Sequence, residues 1–244
     1  MRTSERTGAL LRNNWIALIV TLAIGVAWLR LNNFFAHKGL ISSELSRKII
    51  HIGTGPIFVL CWLFFNDNPG SPYLAAIVPL GITLQFALVG SGIIKDEAAV
   101  TAMSRSGDRR EILRGPLYYG IAFIFLTILF WRNSPVGIVA LMMLCGGDGL
   151  ADVLGKRIKS PRLPWSPKKT LAGSISMLMG GFAFSLLILS VFIHQGYFDP
   201  PIWNYVIPLG IIVLVTSLIE SLPIKDIDNI TVPLVAVLIG WLVF

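Results

Sequence analysis

The feature that most constrains this chain is a succession of eight long apolar segments, at approximately 14–32, 48–65, 71–93, 115–131, 134–154, 171–194, 202–220 and 229–244. A helix needs about 20 residues to cross the hydrocarbon core of a bilayer. Most of these segments reach that length; the second, fourth and eighth are shorter. Lipid offers no partner to a backbone N–H or C=O, so a spanning segment is either a helix or a strand of a closed barrel. None of the segments alternates apolar and polar residues as barrel strands do. The expectation is an all-α polytopic membrane protein, a bundle of about eight transmembrane helices, or seven if one short segment fails to cross. Only 14% of the residues are charged, where a soluble domain carries about 25%. Residues 1–13 are expected to form an N-terminal extramembrane segment and 14–244 a single transmembrane domain. The basic start, MRTSERTGALLRNN, precedes a stretch long enough to span and no small-residue cleavage site follows, so a removed signal peptide is not expected.

The connections between segments fall into two kinds. Those after the second, fourth and sixth are short and bare: NDNPG at Asn66–Gly70, a tight turn at Arg132–Ser134, and HQGYFDPP at His194–Pro201. The other four are long and charged, and sixteen of the 20 Lys and Arg lie in them or at their edges. Cytoplasmic loops of membrane proteins carry such an excess, which points this face toward the cytoplasm, or the stroma if the membrane is a plastid one. Arg2, Arg6 and Arg12 stand against that arrangement, since eight crossings put the N-terminus on the other side. The net charge of +7 is accounted for by loop orientation and anionic lipid headgroups. A lipid bilayer, not nucleic acid, is the expected partner of the basic residues. Cys61 and Cys145 lie in apolar runs with no metal-ligand or disulfide spacing.

Within the charged loops, CGGDGLADVLGKRIKSPRLPWSPKKTLAGS (Cys145–Ser174) carries the strongest chemical signal. Asp148 and Asp152 are spaced i, i+4, on one face of a helix end. An acid at the end of a membrane helix is costly to bury and marks a functional site by default. Paired carboxylates suit Mg²⁺ when phosphates complete its shell; the competing use is an ion pair from Asp152 to Lys156, also at i+4. Gly146, Gly147, Gly149 and Gly155 would let backbone N–H groups approach a phosphate. Lys168, Lys169 and Thr170 lead into the sixth span, near a helix N-terminus that favours an anion. No Walker A pattern occurs.

In SSELSRKIIHIGTG (Ser42–Gly55), Glu44, Arg47, Lys48 and His51 share a helical face. They read equally as a snorkelling set at the membrane border, but His51 lies in an apolar run and needs a partner. His194 ends a span beside a bare loop and is given no role. SRSGDRREILRGPLYYG (Ser104–Gly120) adds dense charge, and ESLPIKDIDNITVP (Glu220–Pro233) adds Glu220, Asp226, Asp228 and Asn229 as oxygen ligands. Four such loops on one face describe a polar site with carboxylates for metal and cations for phosphate.

RKIIHIGTG, SRSGDRREILRGPLYYG, CGGDGLADVLGKR…SPKKTLAGS and ESLPIKDIDNITVPL, in this order, resemble the CTP-dependent polyprenol kinases, and within that group the phytol kinases. The resemblance covers roughly Ser43 to Phe244; its GDGLAD…KKT..GS core is shared with dolichol kinases and, distantly, CDP-diacylglycerol synthases. It implies that the transmembrane domain is a kinase, phosphorylating an isoprenoid alcohol such as phytol with CTP or another nucleoside triphosphate. Under it, Asp148 and Asp152 hold Mg²⁺, with Asp228 and Asn229 as supplementary ligands. Lys168 and Lys169 hold the β- and γ-phosphates with Thr170 and the backbone of Gly146, Gly147 and Gly149. Arg47, Lys48 and Arg110 meet the charge of the triphosphate or transition state. His51 is the first candidate for the base and Asp148 the second. Other acceptors (farnesol, geranylgeraniol, dolichol, diacylglycerol), a cytidylyltransferase and a transporter with an anion site are the alternatives. Transporters commonly show paired repeats, and none is evident here.

Overall fold

Helices occupy the apolar runs, and several of them begin where the sequence supplies a capping side chain. The structure, a computed structural model, describes residues 13–104, 106–223 and 227–244. Arg2, Arg6, Arg12, Arg105, Lys225 and Asp226, which entered the charge and ligand arguments above, lie outside the described residues. The helices are α1 (Asn14–His37), α2 (Ser43–Cys61), α3 (Ser71–Ser91), the short α4 (Glu97–Met103), α5 (Gly115–Phe130), α6 (Pro135–Met142), α7 (Asp148–Arg157), α8 (Leu171–His194), α9 (Trp203–Glu220) and α10 (Asp228–Val243). Side chains of Asn13, Ser42, Asp96, Ser134 and Thr170 accept from free N–H groups at the starts of α1, α2, α4, α6 and α8, as N-caps do. Gly92 ends α3 at a φ of 83°, a left-handed conformation that favours glycine.

Among the described residues, seven helical stretches are long and apolar enough to cross a membrane, and they match the first seven expected segments to within about six residues at either end. The chain is an all-α, multi-pass integral membrane protein. α10 has 16 residues, a rise of about 24 Å. It nonetheless runs back to the level at which α9 begins, where the Phe244 and Tyr205 rings lie 5.9 Å apart. α2 begins earlier than the apolar run, at Ser43, so Glu44 to His51 are helical and carry charge from the loop into the span.

The centre of the bundle is the stretch Pro135–Arg157, most of which is buried. It is one path of α6 and α7 joined by a wide π turn at Met143–Gly147. Such turns shift the phase of the helix that follows and occur often at functional sites; here the shift falls immediately before Asp148. One more feature departs from the sequence expectation: a two-stranded antiparallel hairpin, β1 (Arg162–Leu163) and β2 (Ser166–Thr170), between α7 and α8.

The three connections that looked bare in sequence are tied together by Arg132, which is buried at 3% exposure. Its guanidinium donates to the carbonyls of Trp62, Phe65 and Asn66, to the Tyr197 hydroxyl, and to Asp67 Oδ1, at 2.7 to 3.0 Å. Trp131 beside it sits at φ 41° and packs at a tilt against Trp62 with ring centroids 4.9 Å apart, so a strained turn is held by its neighbours. Arg132→Met leaves several buried acceptors without donors and is expected to lower stability by about 3 kcal/mol. Asp67→Asn, at an 84% exposed side chain, is expected to cost a small fraction of that. Unfolding of the detergent-purified variants checks both; equal losses would count against a role centred on the carbonyls.

Candidate active site

α2 and α7 meet along an antiparallel seam in which three positions of each are matched. Lys156 Nζ lies 3.5 Å from Glu44 Oε1, Lys48 pairs with Asp152, and His51 Nε2 lies 3.7 Å from Asp148 Oδ2. The i, i+4 and i+3 spacings seen in each sequence are therefore two halves of one arrangement. Small residues allow it. A side chain added at Gly55 would collide with Cys145, and one at Gly149 would collide with Ile52 and come within 3.2 Å of His51 Cδ2. His51 Nε2 is buried without a hydrogen-bond partner. Its ring packs on Tyr119, centroids 4.5 Å apart, and the Tyr119 hydroxyl donates to the His51 carbonyl at 2.9 Å.

The hairpin supplies the next group. Trp165 at its turn donates to Ser221 Oγ at 3.1 Å. Thr170 caps α8 by accepting from Gly173 N and donates to the Gly155 carbonyl, both at 3.2 Å. Successive side chains of a strand point to opposite sides: Lys168 is exposed and Lys169 turns inward. Lys169 pairs with Glu220, which is 5% exposed, and lies 3.3 Å from Asp228 Oδ2. Oxygens of Asp148, Glu220 and Asp228 all fall within 4.8 Å of one another. Burial alone would push the Lys169 ammonium down, but Glu220 first, then Asp228 and Asp148, outweigh it and hold its pKa above lysine's usual value.

This arrangement differs from the sequence expectation at several residues. Asp152 does not join Asp148 in a carboxylate pair; it is neutralised by Lys48 and, at 2.9 Å, by Lys156. The third carboxylate is Glu220, which the sequence offered among the oxygen donors of its loop but not among the Mg²⁺ ligands. Gly146 and Gly147 are buried in the π turn, against Phe184 and Met177 of α8. Their smallness serves helix packing, and they do not line the cavity where a phosphate could reach them. Asn229 donates to the Gly115 carbonyl at 3.0 Å, tying α10 to α5. Arg110 is exposed in the turn Arg109–Leu113 and does not line the cavity. Arg47 does line it and donates to the Ser104 carbonyl at 2.9 Å. Arg114 and Tyr119, which sequence reasoning passed over, line it too.

Lys48, His51, Asp148, Lys169, Glu220 and Asp228 face one cavity of about 1550 Å³, which opens among the charged loops and continues between α1, α2, α3 and α5. Three carboxylates around one ammonium leave excess negative charge in a half-buried site, and hard oxygen donors of this kind suit Mg²⁺. The donor set therefore fits the ion expected from sequence, with Glu220 joining Asp148 and Asp228 and with Asp152 outside the cluster.

A bundle of membrane helices with a carboxylate–lysine site at the mouth of an apolar cavity defines a membrane enzyme acting where a polar and a lipophilic reactant meet. No model of a protein family matches the chain, and no solved structure does. Curated relatives do. The chain is 40% identical over 227 residues to the probable phytol kinase 2, chloroplastic, of Oryza sativa subsp. japonica, covering 92% of this chain and 74% of that protein. It is 37% identical to the probable phytol kinase, chloroplastic, of Zea mays, covering 97% and 78%. It is 38% identical to phytol kinase 1, chloroplastic, of Arabidopsis thaliana, covering 85% and 69%. The chain belongs to the phytol kinase family. It is a phosphotransferase with an alcohol acceptor.

The raised Lys169 pKa has a thermodynamic consequence. Its contribution to stability is full below the unfolded lysine value of about 10.4 and is lost as pH rises through the higher folded value. Lys169→Gln is expected to lower the thermal midpoint at neutral pH, and the gap to wild type should close only at strongly alkaline pH. A gap that does not change across that range would mean that the ammonium charge is not what the carboxylates require.

Proposed function

We propose that this protein transfers the γ-phosphoryl group of CTP, or of another nucleoside triphosphate, to the hydroxyl of phytol, giving phytyl phosphate. The observation that carries the reading is the convergence of Asp148, Glu220, Asp228 and Lys169 at the mouth of a cavity whose deeper walls are apolar, in a chain whose relatives are named phytol kinases. The choice of CTP rests on the polyprenol kinase resemblance, and the cytoplasmic or stromal orientation on the gathering of Lys and Arg in the same loops.

Phosphoryl transfer asks mostly for positioning and for neutralisation of charge. Asp148, Glu220 and Asp228 would hold Mg²⁺, which when bound neutralises phosphate oxygens and orients them. Lys169, Lys168 and Arg47 line the approach to these carboxylates and would bind the triphosphate. Lys48 is held toward the site by Asp152 and would meet charge developing on the γ-phosphoryl oxygens. The acceptor oxygen bonds to the γ-phosphorus as the bond from that phosphorus to the β–γ bridging oxygen breaks. The electron pair stays on the departing nucleoside diphosphate. The hydroxyl proton passes to His51 Nε2, which has no other partner, and Asp148 at 3.7 Å stabilises the imidazolium. Packing against Tyr119 keeps the imidazole in place.

Purified protein given phytol and γ-labelled CTP should form labelled phytyl phosphate and CDP. Pyrophosphate with a cytidylated lipid would instead identify attack at the α-phosphorus and a cytidylyltransferase. Asp148→Asn should lower turnover at least about 100-fold with unchanged elution on size exclusion, and Lys169→Ala should raise KM for nucleotide. Full activity of Asp148→Asn would sink the assignment of the carboxylates.

A further inference from the structure

The cavity does not end at the charged site. Its walls continue along α1, α2, α3 and α5 as far as Thr21, Phe58, Cys61, Val78 and Phe123. From His51 to Cys61 α2 rises about 15 Å, roughly half of a hydrocarbon core of about 30 Å. Thr21 donates to the Ala17 carbonyl at 2.7 Å and Thr54 to the Ile50 carbonyl at 2.6 Å, so their hydroxyl protons are already engaged on their own helices. At the far end Phe58 lines the cavity and is backed by Trp62, fully buried and packed edge-on against it. Midway, Gly25 lines the chamber, and a Cβ built there meets nothing within 4 Å. Trp28, one turn nearer the charged site, packs on Gly53, which places Gly25 between His51 and the floor.

We propose that this chamber measures the hydrocarbon chain of the acceptor alcohol: Gly25 keeps its middle open, and Thr21, Cys61, Val78 and Phe123 set the longest chain that seats with its hydroxyl at His51. The inference rests on the functional reading above and goes beyond it by assigning chain-length selection to named residues. The occupant is the isoprenoid tail of the acceptor. An alcohol whose oxygen lies beside His51 and Asp148 has charged loops on one side and this apolar shaft on the other, and transfer of its tail from water is favourable only into the shaft.

The test compares kcat/KM for geraniol, farnesol, geranylgeraniol and phytol in wild type, Gly25→Leu and Gly25→Phe, with the full chain in nanodiscs and nucleotide saturating. The ratio of phytol to farnesol is expected to fall at least about tenfold in Gly25→Phe, since even one methylene in an apolar pocket is worth about that much discrimination. Gly25→Leu should give a smaller fall in the same direction, and it carries the test if the larger side chain prevents folding. Leu80→Phe, on an exposed position of α3 outside the cavity, should keep the wild-type ratio. Turnover of these alcohols with a ratio unmoved by both Gly25 variants, as expected if a bilayer lipid fills the chamber, overturns the gauge alone, as does an equal loss for all four. Wild type that phosphorylates none of them overturns the functional reading itself.

Discussion

Carboxylates carried into the end of a membrane span must meet cations there, and the α2–α7 seam is how this chain meets that demand. A buried charge without a partner is too costly to keep. Asp152 is answered by Lys48 and Lys156, and Asp148 faces His51. The match depends on backbone proximity, which Gly55 and Gly149 permit by lacking side chains that would strike Cys145 and Ile52. The charges and the glycines thus form one device, in which the glycines bring the helices close enough for short side chains to pair. Buried ion pairs seldom add net stability; their value here is the fixed placement of Lys48 and His51 at the cavity.

The two faces of the bundle solve opposite problems. On the site face, charge is left partly exposed and unevenly balanced, with three carboxylates around Lys169. On the other face a single guanidinium, Arg132, satisfies the carbonyls of the Trp62–Asn66 turn and leaves little for a ligand to bind. Trp62 belongs to both stories, since its carbonyl is held by Arg132 and its ring backs Phe58 on the chamber wall. A cavity with a charged mouth and apolar deeper walls suits an amphipathic reactant.

Most of the architecture was legible in the sequence because lipid leaves so few options. Spans could be read from apolar length alone, and the charged face from where Lys and Arg fall. The site was legible as a set of loops, and less so as a set of partners. The i, i+4 spacing of Asp148 and Asp152 suggested one metal pair, but helical spacing says only which residues share a face. It does not say which cation the facing helix offers, and Lys48 claims Asp152. Glu220 was visible as an acid at the end of a span, yet its pairing with Lys169 crosses about fifty residues and depends on a short strand that no period in the sequence announces. That strand also gives two adjacent lysines different surroundings, Lys169 inward against Glu220 and Asp228 and Lys168 exposed at the cavity mouth. Gly146 and Gly147 resembled a phosphate loop because the same smallness serves close backbone packing, and only α8 lying against them separates the two uses.

The order in which the chain contributes to the site has its own consequence. Asp148 comes from the central span, Lys169 from the hairpin after it, Glu220 from the end of α9 and Asp228 from the start of α10. The α2–α7 seam can form once the first five spans are in place, and it holds its own charges. Glu220 and Asp228 are different, because α9 and α10 must dock before Lys169 can reach either of them. Lys169 is therefore the link between the part of the bundle that positions the acceptor, along α1, α2, α3 and α5, and the late part that completes the carboxylate cluster. A membrane kinase has to bring a water-soluble donor and a lipid-soluble acceptor to one point. In this fold the acceptor's shaft and the donor's charged mouth are built by different helices, and they are joined by one inward lysine and one π turn that aims Asp148 between them.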